Sequence, residues 1–468
     1  MSKKEKIMRK TKIVCTIGPA CDTVQNLRKL ALSGMNVARI NMSHGDELTF
    51  KTTIDNIKTV RNELGTAIAI MADTKGPEIR IKKFKNNFVI LEKNQTFTLT
   101  TNEVIGNDSI VSLAYKNLVN QVKVGEKIYA NNGMIVLKVK SVSKTEIECK
   151  VLFGGKLTNG KGLNIPNIVP KHEYLSDVDK KDLLFATKNG VDFVACSFVS
   201  SSQDLIDLKQ FLDKIGSRAK LIAKIENGAG IKNLKEILNA CDGIMVARGD
   251  LGVEIPLESV PVFQKKATAL CKQMGKVCII ATEMIESMTS SPRPTRAEVS
   301  DCANAIFEKS TATMLSGETA IGKYPFLTTK TMAKILNRTE KSINYKKDFL
   351  NLDTKYFCKN QKVCFDTCKT AKYLGAKLVV LKTKDGQNAI LTSSLHPSNI
   401  LFVITNDKTT YNQLSLYWGV IPYFAETDNL DTLGQNQLSS IVTKNNLANK
   451  NDMIVVQNDF ENCTSFVL

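Results

Sequence analysis

Gly243-Ile-Met-Val-Ala247 runs directly into Arg248-Gly249-Asp250-Leu251-Gly252. A short unbroken apolar run bounded by turn residues reads as a strand buried on both faces. The same unit recurs upstream. Ile13–Thr16 precedes Ile17-Gly18-Pro19, Val37–Ile40 precedes Asn41-Met42-Ser43-His44-Gly45, and Ile68–Ala72 precedes Asp73-Thr74-Lys75-Gly76. Phe193–Cys196 precedes Ser197-Phe198, and Leu221–Ile225 precedes Glu226-Asn227-Gly228. Downstream, Val277–Ala281 leads to Thr282-Glu283-Met284 and Ala312–Leu315 to Ser316-Gly317-Glu318-Thr319. Helical spacing fills the intervals, as in Leu205, Leu208, Phe211, Leu212 and Ile215, and again in Val262, Ala267, Leu270, Cys271 and Met274. Eight such units predict an α/β fold, a (β/α)8 TIM barrel whose strand ends converge on one mouth.

Two stretches break the repeat. From about 76 to 165 apolar and polar residues alternate with period two, as in Phe97-Thr98-Leu99-Thr100, with turn signals at Asn132-Gly133 and Gly154-Gly155. That predicts a small β-barrel lid inserted after strand three. From about 341, apolar runs such as Leu378–Leu381, Ile400–Ile404, Val420–Phe424 and Met453–Val456 alternate with helical stretches, predicting a C-terminal α/β domain. The expected organisation is a catalytic barrel of 1–75 and 166–340, a lid of 76–165 and a C-terminal domain of 341–468.

The composition is that of a globular chain: 468 residues, 43% hydrophobic and 24% charged. No apolar run approaches the ~18 to 20 residues of a membrane span. The net charge of +18 favours anionic ligands, but the lysines are dispersed with no aromatic-interleaved basic stripe, so no specific nucleic acid is expected. Lys3, Lys4, Lys6, Arg9, Lys10 and Lys12 are followed by a strand from Ile13 and not by the longer apolar h-region of a targeting signal, and read as a solvated tail. The 12 cysteines form no C-x-x-C pair and read as buried thiols of a reducing, cytoplasmic compartment. Cys364 and Cys368 share a helix face, yet no Cys or His cluster lies nearby to complete a zinc site.

The strand ends carry the chemistry. Glu226 and Asp250 end neighbouring strands five and six, so two hard oxygen ligands converge with coordination positions open, an arrangement that suits Mg²⁺ or Mn²⁺. Lys224 leaves the same strand face as Glu226, two residues away. Arg39 ends strand two toward the mouth. A divalent cation, a lysine and an arginine together neutralise a phosphoryl group in flight. Gly249 and Asp250 open a turn with free amides, and the Thr282 hydroxyl lies over the same space. There is no P-loop and no correctly placed G-x-G-x-x-G. Of three histidines only His44 lies at the mouth, which argues against a histidine triad.

Lys12–Ala20, Asn36–Gly45, Asp73–Arg80, Lys224-Ile-Glu-Asn227, Asp242–Gly252, Ala281–Met288 with Pro292–Glu298, and Met314–Ala320 together resemble the pyruvate kinase family, in order through about 330 residues. The resemblance implies transfer of the phosphoryl group of phosphoenolpyruvate to ADP, giving pyruvate and ATP, the last step of glycolysis. It implies Arg39 on the transferring group, Lys224 on the transition state, Glu226 and Asp250 on Mg²⁺ (or Mn²⁺), and Gly249, Asp250 and Thr282 on the substrate carboxylate. Asn41, Ser43, Asp73 and Thr74, with Ser197 near them, match the family's K⁺ ligands. Asn41, His44, Arg80 and Lys161 match its ADP/ATP contacts, and Ser316 and Glu318 a polar proton relay. A homo-oligomer, commonly a tetramer, follows by resemblance alone.

The sequence leaves two other readings open: another metal-dependent phosphoenolpyruvate or enolate enzyme on the same barrel, and a basic RNA-binding or scaffold protein whose site has decayed. Departures from the family are few. Glu283 stands where glutamine is usual, and Thr383-Lys384-Asp385-Gly386-Gln387-Asn388 replaces the Ser/Thr-rich loop of members activated by fructose 1,6-bisphosphate. A carboxylate in that loop repels a phosphate, so activation by that sugar is not expected.

Overall fold

The computed structural model describes residues 9–43, 45–171, 173–460 and 463–468. The eight expected runs form β1 (Lys12–Thr16), β2 (Val37–Asn41), β3 (Ala69–Asp73), β4 (Phe193–Cys196), β5 (Lys220–Ile225), β6 (Gly243–Ala247), β7 (Val277–Ala281) and β8 (Ala312–Leu315). All neighbours pair in parallel and β8 closes on β1, so the sheet is a closed barrel. Side chains alternate between its two faces. Val14, Val37, Met71, Phe193, Ile222, Met245, Ile279 and Met314 pack together inside, while Ile13, Ala38, Ile70, Val194, Ala223 and Ile280 pack against the outer helices. Parity then carries Arg39, two beyond Val37, and Lys224, two beyond Ile222, to the inner face at the mouth.

The helix Ser259–Met274 buries Val260, Phe263, Ala267 and Cys271. Val262, expected among the buried positions, is instead 67% exposed. It stands five residues, 140° of helix rotation, from Ala267, which turns it off the apolar stripe.

Between β3 and β4 the chain leaves the barrel for a six-stranded sheet, in the order Leu163–Asn164, Lys127–Ala130, Ile135–Val142, Glu146–Phe153, Thr96–Thr100, Ile110–Ser112. A two-stranded sheet, Phe88–Leu91 with Gly155–Thr158, accompanies it. The exit turn requires glycine: Gly76 has φ +66°, and a Cβ there would lie 2.6 Å from the Ser197 carbonyl oxygen.

The C-terminal residues form a five-stranded sheet in which Val420–Phe424, Ile400–Thr405, Leu378–Lys382 and Met453–Asn458 run parallel and Thr464–Val467 closes the edge antiparallel. This domain docks on the end of the barrel away from the mouth. Lys12 Nζ donates to the Val420 carbonyl at 2.6 Å and Ala69 N–H to Ser415 Oγ at 3.1 Å. Arg218 pairs with Asp407 at 3.0 Å. Cys364 and Cys368 are core residues packed with Phe349 and Leu395. Among the described residues no helix is long and apolar enough to cross a membrane.

Candidate active site

The mouth holds a cavity of ≈ 330 Å³, lined among others by Arg39, Asn41, Lys224, Glu226, Asp250, Thr282 and Ser316. Its charge is organised around Asp73, the last residue of β3 and 1% exposed. Arg39 Nε donates to Asp73 Oδ2 at 2.7 Å, Lys224 Nζ donates to Oδ1 at 3.1 Å, and Ser197 Oγ lies 3.1 Å from the same oxygen. Burial works against this carboxylate, but the guanidinium and the ammonium outweigh it and hold Asp73 below its ordinary range. Arg39 is also oriented by Thr16 Oγ1 at 2.8 Å.

Lys224 Nζ lies 3.0 Å from Glu226 Oε1 and donates to Ser197 Oγ at 2.6 Å. Burial disfavours its charge, but Asp73 and then Glu226 overcome that and hold the ammonium above the usual lysine range. It is therefore a fixed cation at neutral pH. Phe198, at φ +56°, turns its N–H onto Glu226 Oε2 at 2.6 Å. Even so, burial pushes the Glu226 carboxyl up to about 7, and that of Asp250 rises too, with Lys224 opposing both.

Two buried carboxylates that resist ionisation for want of positive charge fit a divalent cation. Among the described residues no group of three or more His, Cys, Asp or Glu side chains forms a self-sufficient metal cage. Glu226 and Asp250 would therefore hold a cation whose other positions are open to substrate and water.

Strand six ends in the helical turn Arg248–Glu254 rather than in a loop. Gly249 N–H, expected to be free for an anion, donates to Thr282 Oγ1 at 2.7 Å, and Thr282 Oγ1 donates to the Ala281 carbonyl at 2.6 Å. A bound carboxylate would have to displace that hydroxyl from the amide. Thr282 and Glu283 sit at φ +66° and +51°, where a β-branched residue is strained by ~1–3 kcal/mol. Arg248, which the sequence pattern marks only as part of the turn, braces them. Its Nη2 donates to the carbonyls of Thr282 at 2.7 Å and Glu283 at 3.1 Å, and its Nη1 to Asp301 Oδ2 at 2.6 Å. Its position beside Gly249-Asp250 is the available signal, but these three partners lie 34 to 53 residues away.

Ser316 lines the cavity with no partner for its hydroxyl, and Glu318 stands behind it, fully buried, accepting Ser316 N–H at 2.6 Å. Glu318 does not line the cavity and reaches it only through that backbone bond. Asn41 Oδ1 accepts Ser43 N–H at 3.1 Å, and Asn41 lies in register with Asp73. Ser197 Oγ donates to the Thr74 carbonyl at 2.7 Å, placing these oxygen donors at one side of the mouth. Arg80 pairs with Glu78 and donates to the Gly160 carbonyl at 3.1 Å, and the Lys161 carbonyl accepts Ile81 N–H at 3.0 Å. Arg80 and Lys161 thus stand at the lid junction, outside the cavity wall. His44 falls outside the described residues.

The chain matches the family model "Pyruvate kinase, barrel domain" over residues 8–329 and "Pyruvate kinase, alpha/beta domain" over 361–463. It is similar to a pyruvate kinase of Staphylococcus saprophyticus, 42% identical over 455 residues, 96% of this chain and 77% of that one. It is likewise similar to a pyruvate kinase of Staphylococcus aureus, 40% identical over 454 residues with the same coverage. Among solved structures, a pyruvate kinase from Cryptosporidium parvum superposes with a TM-score of 0.93 at 32% identity, covering 98% of this chain and 96% of that one.

Proposed function

Because the chain belongs to the pyruvate kinase family and is a phosphotransferase of that activity, we propose specific roles for its mouth residues in moving a phosphoryl group from phosphoenolpyruvate to ADP. The observation that carries the assignment is the Lys224 ammonium, held 3.0 Å from Glu226 and 3.1 Å from Asp73 and open to the cavity. Arg39 and Lys224 are fixed before substrate arrives, so charge developing on the phosphoryl group meets oriented cations at little reorganisation cost. The family is metal-dependent, and Mg²⁺ (or Mn²⁺) held by Glu226 and Asp250 would supply a further positive point for phosphate oxygens. Thr282 and the amides of Gly249 and Asp250 orient the substrate carboxylate once the Thr282 hydroxyl turns from the Gly249 amide. Ser316, whose hydroxyl is unpartnered in the cavity, relays a proton from water to the enolate of pyruvate, taking one from water as it gives its own to the carbon, while Glu318 positions it through the backbone N–H.

The same proposal takes K⁺ to Asn41, Ser43, Asp73 and Thr74 with Ser197 adjacent, and the nucleotide to Asn41, His44, Arg80 and Lys161. It keeps the division into 1–75 with 166–340, 76–165, and 341–468, supported by a separate apolar cluster in the lid and another on one face of the C-terminal sheet, whose other face joins the barrel's cluster. It also keeps a homo-oligomer, a tetramer by family likeness, and a cytoplasmic setting in line with cysteines that are all free. The family match sets aside the enolate-enzyme and RNA-binding alternatives. The experiment is pyruvate formation from phosphoenolpyruvate with and without ADP, in K⁺ and in a bulky organic cation. Pyruvate released at equal rates without ADP would defeat the nucleotide assignment, and equal rates in both cations the K⁺ assignment.

A further inference from the structure

At the end of the barrel opposite the mouth, a narrow cleft lies where the barrel meets the C-terminal domain. Lys272, Lys276, Lys309 and Thr311 come from the barrel side, Ser393 and His396 from the other, and no Asp or Glu lines it. The three ammonium groups are unequally compensated. Lys309 pairs with Asp348 at 2.5 Å, and Lys276 donates to the Cys241 carbonyl at 2.6 Å, a dipole rather than a charge. Among the described residues Lys272 makes no ion pair or hydrogen bond; burial and then Lys309 work against its charge, and Asp348, already paired with Lys309, favours it only from beyond ion-pair distance. His396 is 5% exposed and stacks on Trp418 at 4.2 Å, and its Nδ1 has no partner. Burial, then Lys272, Lys309 and Lys10, keep this imidazole neutral, so in its Nδ1-protonated tautomer it offers an N–H and not a second charge. Thr311 Oγ1 accepts Cys278 N–H at 3.1 Å and retains its own hydrogen for donation.

A buried polar atom without a partner, beside an ammonium that has no ion pair of its own and with no carboxylate in the wall, favours an anion. Size decides which. By the measure that makes the mouth ≈ 330 Å³, this cleft is ≈ 10 Å³, the space of about one water molecule. That favours a monatomic anion over a tetrahedral oxyanion.

We propose that the cleft is a chloride site, with Lys272 as the charge partner and Lys276, the Thr311 hydroxyl and His396 Nδ1–H as further donors. The ion would join barrel and C-terminal domain, because its donors come from both walls.

The test uses the full chain in sodium chloride against sodium acetate at constant ionic strength, following thermal unfolding and ³⁵Cl NMR line broadening. Wild type should gain melting temperature saturably with chloride. Lys272→Met should bind chloride at least tenfold more weakly, keep wild-type turnover in acetate, and melt no lower than wild type there, since its loss relieves an unpaired charge. That last outcome separates the site from a merely structural lysine. Lys272→Gln repeats the measurement should the methionine variant fold poorly. A chloride response fully retained in the variant, or no saturable response in wild type, would overturn the proposal. So would a larger saturable gain from inorganic phosphate that the variant loses, which would make the site an oxyanion site.

Discussion

Replacing Lys224 by methionine removes the cation that two buried carboxylates share, and the structure gives its cost in two separate currencies. In stability, breaking a buried ion pair ordinarily costs ~3–5 kcal/mol. Here the cost has a ceiling. Asp73 keeps Arg39 at 2.7 Å and Ser197 at 3.1 Å. Glu226, whose carboxyl already sits at about 7, responds by taking up a proton. Holding a glutamate neutral at pH 7 costs at most ~3.4 kcal/mol relative to an unfolded value near 4.5, and a folded value near 7 means that most of this is spent already. The extra loss from Glu226 is then under ~1 kcal/mol, and the whole variant loses about 1–3 kcal/mol. The sign with pH follows. A carboxyl raised in the folded state makes stability fall as pH rises from its unfolded value through its folded one, and the variant extends that fall above pH 7. Turnover behaves differently, because in the proposed role the ammonium acts on charge that develops only during transfer. Loss of a fixed cation of this kind lowers kcat by about 10³ to 10⁵ while KM changes little. Coupled pyruvate formation, with melting curves at pH 6 and pH 8, measures both. A kcat within tenfold of wild type in a folded variant would refute the role of Lys224. A stability loss well beyond ~3 kcal/mol at pH 6 would refute the proton-uptake argument.

Glu226→Gln should weaken divalent-cation binding at least tenfold, since one anionic ligand becomes neutral, and activity should return with excess metal; a metal titration curve superposable on wild type would count against the site. Arg248→Met should lower kcat/KM for phosphoenolpyruvate 10-fold or more, because the Thr282 and Glu283 carbonyls lose their clamp, with the larger share in KM; Arg248→Lys should restore part of it, and equal effects of both on melting temperature alone would mark Arg248 as structural. Asp192 is buried, accepts Ile70 N–H at 2.8 Å, and burial pushes its carboxyl up to about 7 against the pull of Arg61. Its contribution therefore falls as pH rises from about 4 through 7, by a few kcal/mol in order of magnitude. Asp192→Asn should flatten melting temperature between pH 5 and pH 8, and an unchanged slope would dismiss the effect. Asp385 Oδ1 accepts Gln387 N–H at 2.9 Å, occupying with its own carboxylate an amide that a phosphate would need; fructose 1,6-bisphosphate should leave the apparent KM for phosphoenolpyruvate unchanged, and a large decrease abolished by mutating Thr383 or Lys384 would show otherwise.

The eight strands were legible in the sequence because burial on both faces leaves a local record: Gly243–Ala247 and Val277–Ala281 begin and end in the structure where their apolar runs do. Arg39, Lys224 and Glu226 were legible as inward groups for an equally local reason, the period of two along a strand. Helix faces were less secure, since one residue is 100° of rotation, and Val262 fell on the wrong side. What the chain pattern did not contain is any contact whose partners are set by barrel closure. Asp73 gathers Arg39, Ser197 and Lys224 from separations of 34, 124 and 151 residues. Arg248 reaches across to the turn after β7, and Thr282 takes the Gly249 amide that seemed free. The cleft around Lys272 and His396 exists only because the C-terminal domain docks on the barrel's far end. Composition, periodicity and turn chemistry are properties of neighbouring residues, so one sequence determines the elements and the faces they present. Which buried charge meets which depends on strand register and domain docking, and these are decided by the packing of the whole molecule.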